Sequence, residues 1–92
     1  MATRNRTRPT TGGDSELRSV SIALSILDCF ALSPELGPTA VAGELGIAKS
    51  TASRMLAVMA SRGILERRER GRYRLGMRMF EYGQLALNRL DL

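Results

Sequence analysis

A mainly α-helical fold carrying one small β-hairpin is what this sequence predicts, and three observations predict it. Apolar residues recur at helical spacing along most of the chain. Only around residues 64–75 does the period fall to two, on either side of the loop Glu69-Arg70-Gly71. Glycine or proline marks the junctions, at Pro34, Gly37-Pro38, Gly46, Gly63, Gly71 and Gly76. Ninety-two residues make one small domain, and 43% apolar residues with only two Tyr and two Phe allow a modest core. Such a domain gains much from a partner subunit.

Residues 1–15 read as a disordered basic arm of Arg, Thr, Pro and Gly without apolar periodicity. Arg4, Arg6 and Arg8 alternate with short polar residues. An extended arm of this kind can reach a minor groove, and a solubilising tail is the competing reading. A first helix is expected from about Glu16 to Leu32. Val20, Ala23, Leu24, Leu27 and Ala31 share one face, and Ile22, Ile26, Cys29 and Phe30 widen the arc. That is more apolar surface than one small core covers, so either two elements pack on this helix or part of it is an interface. Ser33-Pro34-Glu35-Leu36-Gly37-Pro38 then breaks the helix.

Thr39 is the expected N-cap of a short second helix, Ala40 to about Leu45, with Val41, Ala42 and Leu45 inward. Gly46 stops it in the left-handed conformation that glycine adopts at little cost, and Ile47 plugs the turn. The third helix, about Lys49 to Arg62, begins three residues after Gly46. Helix, short Gly-containing turn, helix is the helix-turn-helix pattern. In the third helix Ala52, Met55, Leu56 and Met59 form the inward stripe. Ser50, Ser53, Arg54, Ala57 and Ser61 collect on the opposite side, small, polar and basic, with Lys49 at the first turn. Such a face suits the major groove of DNA, and an ordinary amphipathic surface helix is the plainer alternative. Ala48 stands at the N-cap and is a poor cap, so the first-turn N–H groups are free to meet a phosphate oxygen.

Gly63 ends the third helix. Ile64–Arg68 and Arg72–Leu75 are two short runs joined by a three-residue loop, a β-hairpin in which Tyr73 and Leu75 face one way and Arg72 and Arg74 the other. Five arginines, 67, 68, 70, 72 and 74, stand in it against Glu66 and Glu69. Behind a helix-turn-helix such a hairpin is a wing, whose arginines can enter a narrow minor groove or hold phosphates. Protection of an exposed edge explains two such residues, but not five. Residues 77–92 read as a linker and dimerisation helix. Met77, Met79, Phe80, Tyr82, Leu85, Ala86, Leu87 and Leu90 make it apolar around most of its circumference, a surplus suited to a second subunit or a following domain.

Charge is unevenly spread. The chain has 14 basic and 9 acidic residues. Residues 14–48 net −4, whereas residues 49–78 net +7, the footprint of a nucleic-acid face centred on the third helix and the hairpin. One cysteine, Cys29, excludes a disulfide framework, and no histidine stands beside it to build a zinc site. No metal or other cofactor is called for. No apolar run approaches the length of a membrane span, and a cytoplasmic, nucleoid-associated protein is expected. An enzyme is disfavoured, since there is no His, no paired carboxylate and no base near Cys29.

Four stretches together resemble the N-terminal DNA-binding domain of IclR-type transcriptional regulators. They are Ser19-Val20 with Ala23–Leu27; Leu45-Gly46-Ile47-Ala48-Lys49-Ser50-Thr51-Ala52-Ser53-Arg54-Met55-Leu56; Gly63-Ile64-Leu65-Glu66-Arg67; and Tyr73-Arg74-Leu75-Gly76. The resemblance covers about residues 17–90. It implies a winged helix-turn-helix over residues 16–76, with a three-helix core, a two-stranded wing and a C-terminal linker helix. It also implies a homodimer formed through the first and last helices, with Ile22, Ile26, Phe80 and Leu87 in the interface, on a palindromic operator in double-stranded DNA. Family members often carry Pro where Ala48 stands. They also continue into an effector-binding domain, so an excised DNA-binding fragment is expected, with a natural stand-alone protein as the alternative, and a small-molecule effector acts only through a domain absent here.

Within that reading Lys49, Ser50, Thr51, Ser53 and Arg54 serve the major groove and its phosphates. Arg54 is the candidate for a bidentate contact to guanine, while Ser50 and Thr51 bond phosphate from the helix start. Thr51 packed against the wing or the second helix is the alternative for that residue. Arg68, Arg70 and Arg72 serve the wing. A winged-helix module that binds protein is the competing function; it calls for a neutral or acidic third helix, and this one is basic.

Overall fold

The computed structural model describes residues 11–90. The elements follow as α1 (Thr11–Cys29), α2 (Pro38–Leu45), α3 (Lys49–Ser61), β1 (Leu65–Arg67), a tight turn (Glu69–Gly71), β2 (Tyr73–Leu75) and α4 (Met77–Arg89). Three helices, a two-stranded antiparallel wing and a terminal helix are therefore what the chain forms. Arg4, Arg6 and Arg8 of the expected arm lie outside the described residues.

The first helix departs from expectation at both ends. It starts at Thr11, not Glu16, running through Gly12 and Gly13 although glycine is a poor helix former. It stops at Cys29, not Leu32. The amides of Phe30, Ala31 and Leu32 donate to the carbonyls three residues back, at 3.0, 3.0 and 3.4 Å. This tightened turn is how a helix ends when a proline two residues on steers Ser33 away from helical angles.

One contiguous core is built from Ile26 and Phe30 of α1, Val41 of α2, Ala52, Leu56 and Met59 of α3, Leu65 of β1 and Tyr73 of β2. The core-facing sector of α1 is thus centred on Ile26 and Phe30, with Ile22, Ala23 and Leu27 at its margin. Val20 and Leu24, expected on the packed face, are each 58% exposed. The correction extends to the interface reading. Ile26 is fully buried inside its own domain and has no surface left for a partner, because one wide apolar arc supplies both the core and the exposed side.

Thr39 is not the N-cap of α2. Gly37 takes that place and Pro38 the first helical position, where proline's fixed φ fits and its missing N–H costs nothing. The other end is as expected. Gly46 is left-handed (φ 67°), and the amides of Gly46 and Ile47 both donate to the Ala42 carbonyl, at 2.9 and 3.1 Å. Ile47 packs against the core and fixes the angle between α2 and α3.

In the wing Leu65 pairs with Leu75, Glu66 with Arg74, and Arg67 with Tyr73. Tyr73 is buried, whereas Leu75 on the same side is 44% exposed, so only the start of β2 is half-buried as its alternation suggests. A third short segment joins the sheet at Leu36, which bridges Tyr73 in antiparallel fashion. At the base of the wing a Cβ on Gly76 would collide with the carbonyl oxygen of Gly63 and lie 3.0 Å from the backbone of Leu65. Glycine is needed there for close approach. Through it α4 departs, held by the Arg78 amide donating to the Gly63 carbonyl at 3.1 Å. None of the side chains of Met77–Arg89 is buried. Among the described residues no helix is long and apolar enough to cross a membrane.

Candidate nucleic-acid interface

The outer face of α3 is assembled by its inner one. Ala52 and Leu56, fully buried, fix the helix against the core, and helical spacing then turns Lys49, Ser50 and Arg54 to solvent. Thr51 and Ser53 are half-buried at the edges of that face. Among the described residues no carboxylate lies within ion-pairing distance of Lys49 or Arg54. Their charge is available to an external anion. Ala48 sits in extended conformation (φ −65°, ψ 143°) with no side-chain cap, and the first helical bond runs from the Ala52 amide to its carbonyl at 3.0 Å. The amides of Lys49, Ser50 and Thr51 precede that bond and are donors without an intrahelical acceptor. Ser61, at the far end, donates its hydroxyl to the Val58 carbonyl at 2.7 Å and is occupied in closing the helix.

The wing arginines divide into two groups. Arg67 donates to the Tyr73 hydroxyl at 2.9 Å and lies over the same ring, 5.4 Å from its centroid. Arg74 pairs with Glu66 at 2.7 Å. Both guanidiniums serve the hairpin itself. Glu35, on the loop before α2, takes Arg68 with one carboxylate oxygen at 3.2 Å and Arg72 with the other at 3.1 Å. Of the five arginines counted in favour of nucleic acid, four are therefore engaged within the domain. Spacing along the sequence does not reveal this, because the acid that binds two of them lies 33 residues before Arg68 and further still before Arg72.

Arg70 is the exception. It stands at the tip with φ 61° and ψ 34°, the sole non-glycine residue with positive φ among those described. Left-handed backbone costs an ordinary residue roughly 1–2 kcal/mol. The turn requires it: Arg70 and Gly71 are its two central residues, both at positive φ (61° and 70°), closed by the Arg72 amide donating to the Glu69 carbonyl at 3.2 Å. No carboxylate among the described residues pairs with it.

Cys29 has no part in this surface. Its thiol donates to the Ser25 carbonyl at 3.4 Å. Burial pushes it above the usual thiol range, and Glu44 and Asp28 add to that. It stays protonated and unreactive at neutral pH.

Helix, tight turn, basic helix and wing together define a winged helix-turn-helix domain, the class in which the second helix of the pair presents its outer face to DNA. The chain belongs to the IclR helix-turn-helix family: the family profile described as "IclR helix-turn-helix domain" matches residues 19–69. The HTH-type transcriptional regulator XynR of Escherichia coli (strain K12) is 35% identical over 78 residues, covering 83% of this chain and 31% of XynR. The crystal structure of an IclR family transcriptional regulator from Brucella abortus superposes with a TM-score of 0.73 at 27% identity, over 79% of this chain and 28% of that one. The Agobacterium tumefaciens repressor BlcR gives a TM-score of 0.72 at 32% identity, over 80% and 30% of the two chains. The chain thus spans about a third of the length of the relatives it matches. DNA-binding transcription regulation is the function of the family to which it belongs.

Proposed function

We propose that this chain is the operator-reading module of a transcription regulator, binding a palindromic site in double-stranded DNA as a homodimer. The observation that carries the reading is the outer face of α3, small, basic and without an acid to neutralise it. Lys49, Ser50, Thr51, Ser53 and Arg54 enter the major groove, Arg54 reading a guanine edge and the first-turn amides holding a phosphate. Arg70 at the wing tip takes the adjacent minor groove or its phosphates, flanked by Arg68 and Arg72.

The dimer forms through the solvent side of α1 and the apolar stripe of α4. Leu17, Val20 and Leu24 on α1, Phe80 and Leu87 on α4 and Leu90 just past its end are each at least half exposed, whereas Ile22 lies on the side of α1 that packs against the core and stands apart from this patch. Surface of this size and character is what an interface uses. An effector acts through a further domain of the regulator, and the site of action is the cytoplasmic nucleoid.

Selection of bound oligonucleotides from a random pool, followed by salt titration on the winning sequence, tests this. A palindromic consensus with half-sites about one helical turn or a multiple apart, and affinity falling steeply with salt, is the expected result. A flat salt response removes DNA as the ligand.

A further inference from the structure

We infer that Glu35 is a positioning residue for DNA recognition, presenting the guanidiniums of Arg68 and Arg72 to the phosphate backbone. The inference rests on the wing reading above and adds to it a residue from outside the helix-turn-helix and the wing. Three observations carry it. Glu35 uses both carboxylate oxygens on two different arginines, at 3.2 and 3.1 Å, so the two guanidiniums are held on one side of the hairpin at a fixed separation. The loop that carries Glu35 is itself pinned to the wing by the double backbone bridge between Leu36 and Tyr73, at 3.0 and 2.8 Å. The backbone that carries the acid is thereby held beside the arginines. Arg68 and Arg72 also flank the strained tip: the Arg68 amide donates to the Arg72 carbonyl at 2.7 Å, immediately outside Arg70.

The chemistry of the groups favours presentation over simple neutralisation. A guanidinium has five N–H donors in a rigid fork. Glu35 accepts a hydrogen bond from Nε of Arg68 and forms an ion pair with one terminal nitrogen of Arg72, and leaves the remaining donors for an external oxyanion. Both arginine side chains are about half exposed, at 38% and 52%, and Glu35 is the least exposed of the three at 25%. The acid sits beneath and the arginines face outward. Without it, two long side chains must be ordered at the moment DNA binds, and that entropy is lost from the affinity.

The test rests on a sign. Glu35→Gln removes a negative charge from a DNA-facing surface, and by charge alone it should tighten binding. Positioning predicts the opposite. The 92-residue chain carrying E35Q should bind its selected operator on the order of three- to tenfold more weakly, the worth of one or two ordered charged hydrogen bonds, with a shallower salt slope. Glu35→Asp keeps the charge and withdraws the carboxylate by one methylene. It should lose part of the affinity, where a purely electrostatic role leaves it like the parent. Thermal melts of both variants establish that they fold. The loss caused by E35Q should vanish in a chain that also carries Arg68→Ala and Arg72→Ala.

Equal or tighter binding by E35Q, with the double arginine variant weakened, overturns the inference while leaving the wing on the DNA. If the double arginine variant binds like the parent, the wing arginines do not touch DNA and both readings fall together.

Discussion

Tyr73 and Leu36 exchange both main-chain hydrogen bonds, at 2.8 and 3.0 Å, and so join the wing to the loop ahead of the helix-turn-helix. The Tyr73 ring goes into the core, 5% exposed, and its hydroxyl accepts from Arg67. One residue therefore fixes the angle between wing and core and steadies a wing arginine. Tyr73→Ala should destabilise the fold by about 3–5 kcal/mol, as loss of a buried aromatic does. Tyr73→Phe should cost only about 0.5–1.5 kcal/mol. Urea titration separates ring from hydroxyl.

Arg54→Ala should weaken operator binding by about 1–3 kcal/mol and relax preference at one position of each half-site. Competition with operators substituted one base pair at a time reads this out. A loss equal for all sequences would place Arg54 on phosphate.

Arg70 holds a left-handed backbone that a different residue would adopt at lower cost. Arg70→Asn places a residue that tolerates left-handed φ at the tip, and should stabilise the fold by roughly 0.5–1 kcal/mol while weakening DNA binding and lowering the salt slope by about one. Thermal unfolding and salt-dependent binding, measured on the same sample, should move in opposite directions. Loss of both together would mean the arginine holds the turn.

For the dimer, Phe80→Asp sets a charge on a residue that is 63% exposed and contributes nothing buried to its own domain. Sedimentation should shift to the monomer, and far-UV ellipticity should fall by the share of α4 while the three-helix core stays folded. A dimer that persists places the interface elsewhere than α4.

Cys29 gives a pH signature. Its folded pKa is raised, chiefly by burial, so above a thiol's ordinary value of roughly 8.5 the unfolded chain releases its proton while the folded chain keeps it. Stability contributed by this group is full below that value and is lost as pH rises through it toward the folded pKa. Urea midpoints for the parent and Cys29→Ala should run parallel near neutrality, and the parent should fall faster in alkali.

Local rules made most of the architecture legible. Gly46 as a left-handed stop, Ala48 as an empty cap, the Glu69–Gly71 turn and the inward stripe of α3 each follow from a few adjacent residues, and each is where those residues put it. Pairings between distant segments were not legible. Leu36 has no strand-like run around it and becomes a sheet partner only because Tyr73 arrives beside it. Glu35 reads as part of a helix break until the fold sets it between Arg68 and Arg72. The first helix shows a third kind of failure. An apolar arc wide enough for two surfaces gives no sign of which sector is core, and Ile26 and Val20 exchange the places that spacing suggests for them.

The exposure of α4 leaves its persistence as a helix dependent on whatever covers it. Thirteen residues are marginal as a helix in water on their own, and the domain buries none of their side chains, holding them chiefly by backbone bonds beside Gly63 and Gly76. Whatever covers Phe80, Leu87 and Leu90 must supply the rest of the stabilisation. On the proposed homodimer, folding of α4 and association of two copies would be one linked equilibrium, and far-UV ellipticity would fall as the protein is diluted below its dimer dissociation constant. A palindromic operator, by holding two copies side by side, would restore the helix at concentrations where the free chain has lost it.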